Sequence, residues 1–368
     1  MFNQIRHPHL FGIGILILLG LFIFFLLAQE AQSEIKIIDT HEHIQTLEKA
    51  EMLREANANL GIEKTVLLPS PWETITLNGA QSFTRYRENV DEILKIAETY
   101  PDDFIPLCTI SPLDDDALEY FQDCVERGGK GLKLYNGHSY YYEIFNQPLD
   151  SEAMMPIYEY AETNNIPVLF HVNIGKYMNE LENVLIYHPD LVVSVPHFMV
   201  SSIQIERVEY LLNTYPNLYT DISFGSPQFL ASGFRRLSND TEKYTNFINN
   251  YADRVLFGAD MVLTTIDYKN QEFMEEVLTC YKDILEKKSF VCQPVNDYYQ
   301  QEADKFTESY ENCEPKEGTF CISAEEKMNS YTKWANETRK LNGLDLSDEI
   351  LQKIYQDNPL RFLNANQS

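Results

Sequence analysis

Past residue 33 the chain alternates between two textures. Short apolar, β-branched runs occur at IKIID (35–39), KTVLLP (64–69), FIPLCTI (104–110), GLKLY (131–135), IPVLFHV (166–172), LVVSVPHF (191–198), NLYTDISF (217–224) and RVLFGAD (254–260). Between them lie stretches whose apolar residues recur every three to four positions, such as RYRENVDEILKIAETY (85–100) and SIQIERVEYLLNTY (202–215). Continuous apolar strands alternating with amphipathic helices predict parallel pairing with both sheet faces covered. Eight such units close a barrel, and residues 34–288 supply the roughly 250 residues typical of one. An open doubly wound sheet would want a glycine-rich loop after the first strand, and THEHIQTLEK contains no glycine. The expected fold is therefore α/β, a (β/α)8 TIM barrel.

The pattern breaks in three places. Residues 289–330 lack clear periodicity and hold nine acidic residues, three lysines and three of the cysteines, which predicts an acidic insertion or lid. Residues 331–368 return to helix, with SDEILQKIYQDNPLRFL opening on a serine cap and an acidic first turn. At the other end FGIGILILLGLFIFFLL (11–27) is an uninterrupted apolar run of 17 residues, preceded by Arg6 and followed by acidic sequence. It predicts a membrane segment within 1–33, read as a signal anchor ahead of a cleaved signal peptide, with residues 34–368 exported beyond the cytoplasm.

Composition narrows the partners. The 44% hydrophobic and 23% charged residues belong to an ordinary globular protein. A net charge of −27 argues against nucleic acid or anionic lipid binding by the folded part. The expected partners are a small-molecule substrate, the membrane through the N-terminal segment alone and, as an option, further copies of the chain. The six cysteines suit an exported protein. Cys108 and Cys124 read as inert core thiols, Cys313 and Cys321 as a bridged pair around EPKEGTF, and Cys280 with Cys292 as the complement. Sequons stand at Asn239, Asn336 and Asn366.

Candidate chemistry gathers where strands end. Of eight histidines two lie in the N-terminal tail, and four of the other six close strands: His41 and His43 on the first, His171 on the fifth, His197 on the sixth. Lys133 lies on the fourth and Asp260 closes the eighth. In a barrel, C-terminal strand ends face one bowl. Residues two apart on a strand share a face, so His41 and His43 can grip one cation. Imidazoles with a carboxylate suit zinc, and also iron, nickel or cobalt. Such a cation would lower the pKa of a bound water from 15.7 towards ~7, with Asp260 taking the proton. The plainer alternatives are loop histidines at 41 and 43, core histidines at 171 and 197, a helix-capping Asp260 and a solvent-seeking Lys133. His188 reads as surface, and His138 faces the bowl from the loop after strand four. Glu42 should point away from the ligands and Asp39 should support them.

D-T-H-E-H on strand one, the histidines closing strands five and six, G-A-D on strand eight and the terminal NPLRFL resemble the amidohydrolase superfamily of metal-dependent hydrolases, including the subgroup of aminocarboxymuconate-semialdehyde decarboxylase. The resemblance covers roughly 35–288 and the last helix. It implies one or two divalent ions, zinc foremost, held by His41, His43 and Asp260. His171 would be a further ligand in a one-metal site, where His197 acts with Asp260 in catalysis. In a two-metal site a carboxylated Lys133 would bridge the ions. The activity implied is hydrolysis of an amide, ester, lactone or phosphoester. Two other readings stand beside it: non-oxidative decarboxylation of an aromatic or unsaturated acid, and a surface-anchored barrel without catalysis. The tyrosines Tyr140, Tyr141 and Tyr142 suggest a planar substrate.

Overall fold

The structure, a computed structural model, describes residues 35–72, 82–314, 316 and 319–363. The expected N-terminal membrane segment lies outside them, and no helix among the described residues is long and apolar enough to cross a membrane. All eight predicted apolar runs carry strand. They are β1 (Ile37–His43), β2 (Ile62–Leu68), β3 in two halves around Leu107 (Phe104–Pro106 and Cys108–Thr109), β4 (Leu132–Gly137), β5 (Val168–Val172), β6 (Val193–Val195), β7 (Leu218–Asp221) and β8 (Val255–Leu256).

Each strand pairs in parallel with the next. Across the Leu107 break, Leu107 N–H donates to Leu67 O and Cys108 N–H to Gly131 O. The ring closes where Thr40 N–H reaches Phe257 O at 2.9 Å and Ile44 bridges Leu263 in parallel. Val66, Leu68, Leu107 and Leu169 fill part of the interior as a fully buried cluster. A helix follows each strand: α1 (Leu47–Leu60), α2 (Tyr86–Thr99), α3 (Ala117–Glu126), α4 (Met155–Thr163), α5 (Ile174–Tyr187), α6 (Ile205–Thr214), α7 (Pro227–Asn239) and α8 (Gln271–Glu286). In α2 the buried positions 86, 89, 90, 93, 94, 96 and 97 form the stripe that turns inward.

Two expectations need correcting. Cys108 and Cys124 are not free thiols: they form a disulfide that ties β3 to α3, its own crossover helix. Cys108 does lie on a strand and Cys124 on a helix, and the two elements are neighbours within one βα unit, which brings the thiols together. Cys280–Cys292 and Cys313–Cys321 are bridged as expected, so no cysteine is left free. The insertion is also more ordered than its sequence suggests. A short antiparallel pair, β9 (Ser289–Phe290) with β10 (Leu341–Asn342), closes its base, and α9 (Gln293–Glu311) and α10 (Thr319–Thr338) fill most of the span. Phe306 stacks on Tyr331, and Tyr299 packs on Trp334. The pair docks on α7, where Arg235 donates to the Tyr299 hydroxyl and lies over the Trp334 ring.

The terminal NPLRFL segment seals the last strand. Asn358 is fully buried, and its amide donates to Ala252 O and Val255 O at 2.7 and 2.8 Å.

Candidate metal centre

β1 presents Asp39, His41 and His43 from one face, and a register irregularity lies between Asp39 and Glu42. Its neighbour across the closure is Gly258, where a Cβ would sit 2.8 Å from His41 Cβ; the GAD glycine thus lets β8 approach β1. Asp260 follows with φ of 51°, and Gly225, at φ of 76°, leaves room for its carboxylate, since a Cβ there would stand 2.7 Å from Asp260 Oδ2. His197 emerges from β6 on a left-handed turn, His197 to Val200, with φ of 61°, 50°, 56° and 56°.

Each imidazole is held by its Nδ1. His41 Nδ1 lies 2.7 Å from Asp221 Oδ2. His43 Nδ1 lies 3.1 Å from Leu68 O and 2.7 Å from Ser70 Oγ. His197 Nδ1 lies 3.0 Å from Ser223 O. Carboxylates and carbonyls only accept, so the Nδ1 atoms carry the protons and the Nε2 lone pairs are left bare. Burial, with the nearby charge of Lys133, pushes His41 down to about 3 and His43 well below its ordinary value, so both stay neutral. Asp221 stays ionised. Burial works against its charge, yet His41 and the His197 backbone N–H hold it below the usual carboxylate range.

The bare nitrogens meet at Asp260. His41 Nε2 and His43 Nε2 stand 3.6 and 3.5 Å from Asp260 Oδ1, and His197 Nε2 stands 3.6 Å from Oδ2. His41, His197 and Asp260 can place one ligand atom each within 4.8 Å of one another. Asp260 Oδ1 is buried with no hydrogen-bond partner. Acceptors that face one another so closely without a shared proton repel, and a cation removes the conflict. Ligands at 2.0–2.1 Å from a tetrahedral zinc sit roughly 3.3 Å apart. The observed separations are too long for good hydrogen bonds and close to that edge length, so the residues fit a divalent ion. Without one, burial pushes Asp260 up to about 8, against the opposing charge of Lys133.

The remaining predicted residues stand around this group. Lys133 is fully buried on β4, its Nζ 3.5 Å from His41 Nε2, and burial lowers it to about 8. His171 reaches the cluster through its ring, 5.0 Å from that of His197, and packs at 4.6 Å on His138. His138 itself caps the short helix Ser139–Phe145, its Nδ1 accepting from Tyr140 N–H. Glu42 does point away, accepting from the backbone N–H groups of His43 and Met261, and Asp39 accepts from those of His41 and Ala259. His188 is not surface: it is buried against Glu162. The tyrosines mostly pack. Tyr141 lies among Phe83, Tyr135 and Phe145, and Tyr142 stacks on Tyr177.

Sequence reasoning passed over Asp221 and Ser223. Asp221 Oδ1 collects the N–H groups of His197 and Ser223 and the Ser223 hydroxyl, so one carboxylate orients two histidines. The signal was present in YTDISF: polar residues two apart at a strand end, the same spacing as His41 and His43. Ser70 and Tyr135, which brace His43 and each other, carried no such signal.

The amidohydrolase family model matches residues 38–365. No curated protein matches the sequence. Among solved structures, an uncharacterised TIM-barrel protein from Bordetella bronchiseptica is 17% identical with a TM-score of 0.52, covering 90% of this chain and 100% of its own. A zinc-bound amidohydrolase from Burkholderia multivorans is 10% identical with a TM-score of 0.50, covering 89% and 99%. At these identities the structural likeness speaks to the fold alone. The match along nearly the whole barrel, together with the strand-end histidines, makes this chain a member of the amidohydrolase family.

Proposed function

We propose that the chain is a metal-dependent hydrolase of a small molecule, acting on an amide, ester, lactone or phosphoester bond, with zinc as the ion the donor set suits best. One observation carries the reading: three imidazole Nε2 atoms, stripped of protons by their Nδ1 partners, converge on a buried Asp260 carboxylate, one of whose oxygens has no partner. His41, His43, His197 and Asp260 would hold the ion, His197 in the ligand place the resemblance gave to His171, with Lys133 and His171 beside it. A divalent ion there supplies Lewis acidity to a substrate oxygen and makes a water acidic near neutral pH.

The chain's own groups do the rest. Asp260 accepts a proton and returns it to the leaving group. Asp221 and Ser223 hold His41 and His197 in one tautomer. Lys133, dry and next to His41, offers a donor to developing negative charge.

The test is to load the purified protein with zinc and screen chromogenic esters, amides, lactones and phosphoesters. Turnover of one class, lost together with zinc in His41→Ala, is the expected result. Carbon dioxide release from aromatic or unsaturated acids, without hydrolysis, would reassign the site to decarboxylation, with Asp260 delivering the proton to carbon. Absence of zinc uptake would overturn both.

We also propose that the barrel works outside the cytoplasm. Three disulfides using every cysteine support an oxidising compartment. The apolar run 11–27 supports export through a membrane.

A further inference from the structure

Two buried titratable residues take no part in the proposed chemistry, yet both grip the loop that carries Asp260. Glu42 is fully buried, and its carboxylate accepts from Met261 N–H at 3.0 Å and from His43 N–H at 2.9 Å. Lys269 is almost as deep, and its Nζ donates to Met261 O at 2.9 Å and to Val262 O. Lys49, also buried, donates to Lys269 O at 2.7 Å and fixes the far end of the loop.

This loop needs holding. Asp260 and Val262 both lie in the left-handed region, at φ of 51° and 52°, and neither is glycine. Four backbone N–H groups of 259–263 are pinned to β1: Ala259 to the Asp39 carboxylate, Asp260 to His41 O, Met261 to the Glu42 carboxyl, Leu263 to His43 O. The strand that supplies two imidazoles therefore also supplies the carboxylates that set where Asp260 points. Lys269 closes the far side by taking two carbonyls that the strained turn leaves facing inward.

We propose that Glu42 and Lys269 form a clamp that holds the Asp260 loop in its left-handed conformation and so sets the affinity of the metal site. Both are positioning residues, acting on the ion through Asp260. The inference rests on the metal reading above, and the experiment separates the two. Zinc affinity would be measured by chelator competition on the full-length protein, for wild type and for Lys269→Met, which keeps the side-chain volume and removes the donor. Outer residues that orient ligands typically change metal affinity 10–100-fold. At least a roughly tenfold weakening is expected in Lys269→Met. A control of equal thermal destabilisation placed away from the site, Val208→Ala on α6, should bind zinc as wild type does. If Lys269→Met does not fold, Lys269→Gln, which keeps a donor for one carbonyl, should show a smaller loss in the same direction. Wild-type affinity in whichever lysine variant folds, or an equal loss in the control, overturns the clamp while leaving the metal reading intact. A wild-type protein that takes up no zinc overturns both.

Discussion

The chemistry of the centre is set at single atoms. An imidazole is a ligand only where its lone pair points, and that is decided by what holds the other nitrogen. Here Asp221 and the carbonyls of Leu68 and Ser223 decide it for three histidines. The same geometry gives a pH dependence. Burial keeps His41 neutral down to about 3, so it does not compete for protons in the neutral range. Asp260 is raised to about 8, so below that pH an incoming cation must displace its proton. Zinc affinity is expected to rise about tenfold per pH unit up to pH ~8 and then flatten. Chelator competition from pH 6 to 9 checks this, and a flat profile would mean that Asp260 enters the site already ionised. At this scale the sequence was legible where residue type and spacing coincide, as at His41, His43 and Asp260. It was not where the partner is a backbone carbonyl, such as Leu68 O, because carbonyls leave no mark in a sequence.

At the scale of elements, the left-handed turn from His197 to Val200 stands out, because each such residue costs about 1–2 kcal/mol. Its surroundings supply the compensation. Phe198 and Met199 are fully buried, the Phe198 ring packs on Phe224, Tyr244 and Phe247, and His197 N–H is fixed to Asp221. Val200 is the least supported member, β-branched and 40% exposed. Val200→Gly is expected to stabilise the fold by about 1 kcal/mol, read as a higher urea midpoint at unchanged slope. A lower midpoint would show that the Val200 side chain contributes more than its strain costs. PHFMV contains no glycine, so nothing in its letters announces a left-handed turn. The strands were legible because burial on both faces demands unbroken apolar runs. The helices of the insertion were not, since α9 buries only Val295, Tyr299 and Ala303 of its nineteen residues, a stripe too thin to read as periodicity.

On the scale of the whole molecule, the barrel explains why residues as distant in sequence as His41 and Asp260 act together. β1 and β8 are neighbours only because the sheet closes, and that closure places the first and last strand ends side by side. Parallel strands then aim His41, His43, Lys133, His171, His197 and Asp260 towards one end of the barrel, while the Asn358 segment seals β8. Three disulfides staple this scaffold, one of them, Cys108–Cys124, inside a single βα unit of the barrel. The central claim is a divalent ion among His41, His43, His197 and Asp260. The most direct test is a zinc-soaked crystal of residues 34–368, with anomalous scattering recorded on both sides of the zinc edge. The account predicts an anomalous peak in bonding contact with the three Nε2 atoms and an Asp260 oxygen. A crystal that shows no peak there, or a peak bound only by other residues, would contradict it.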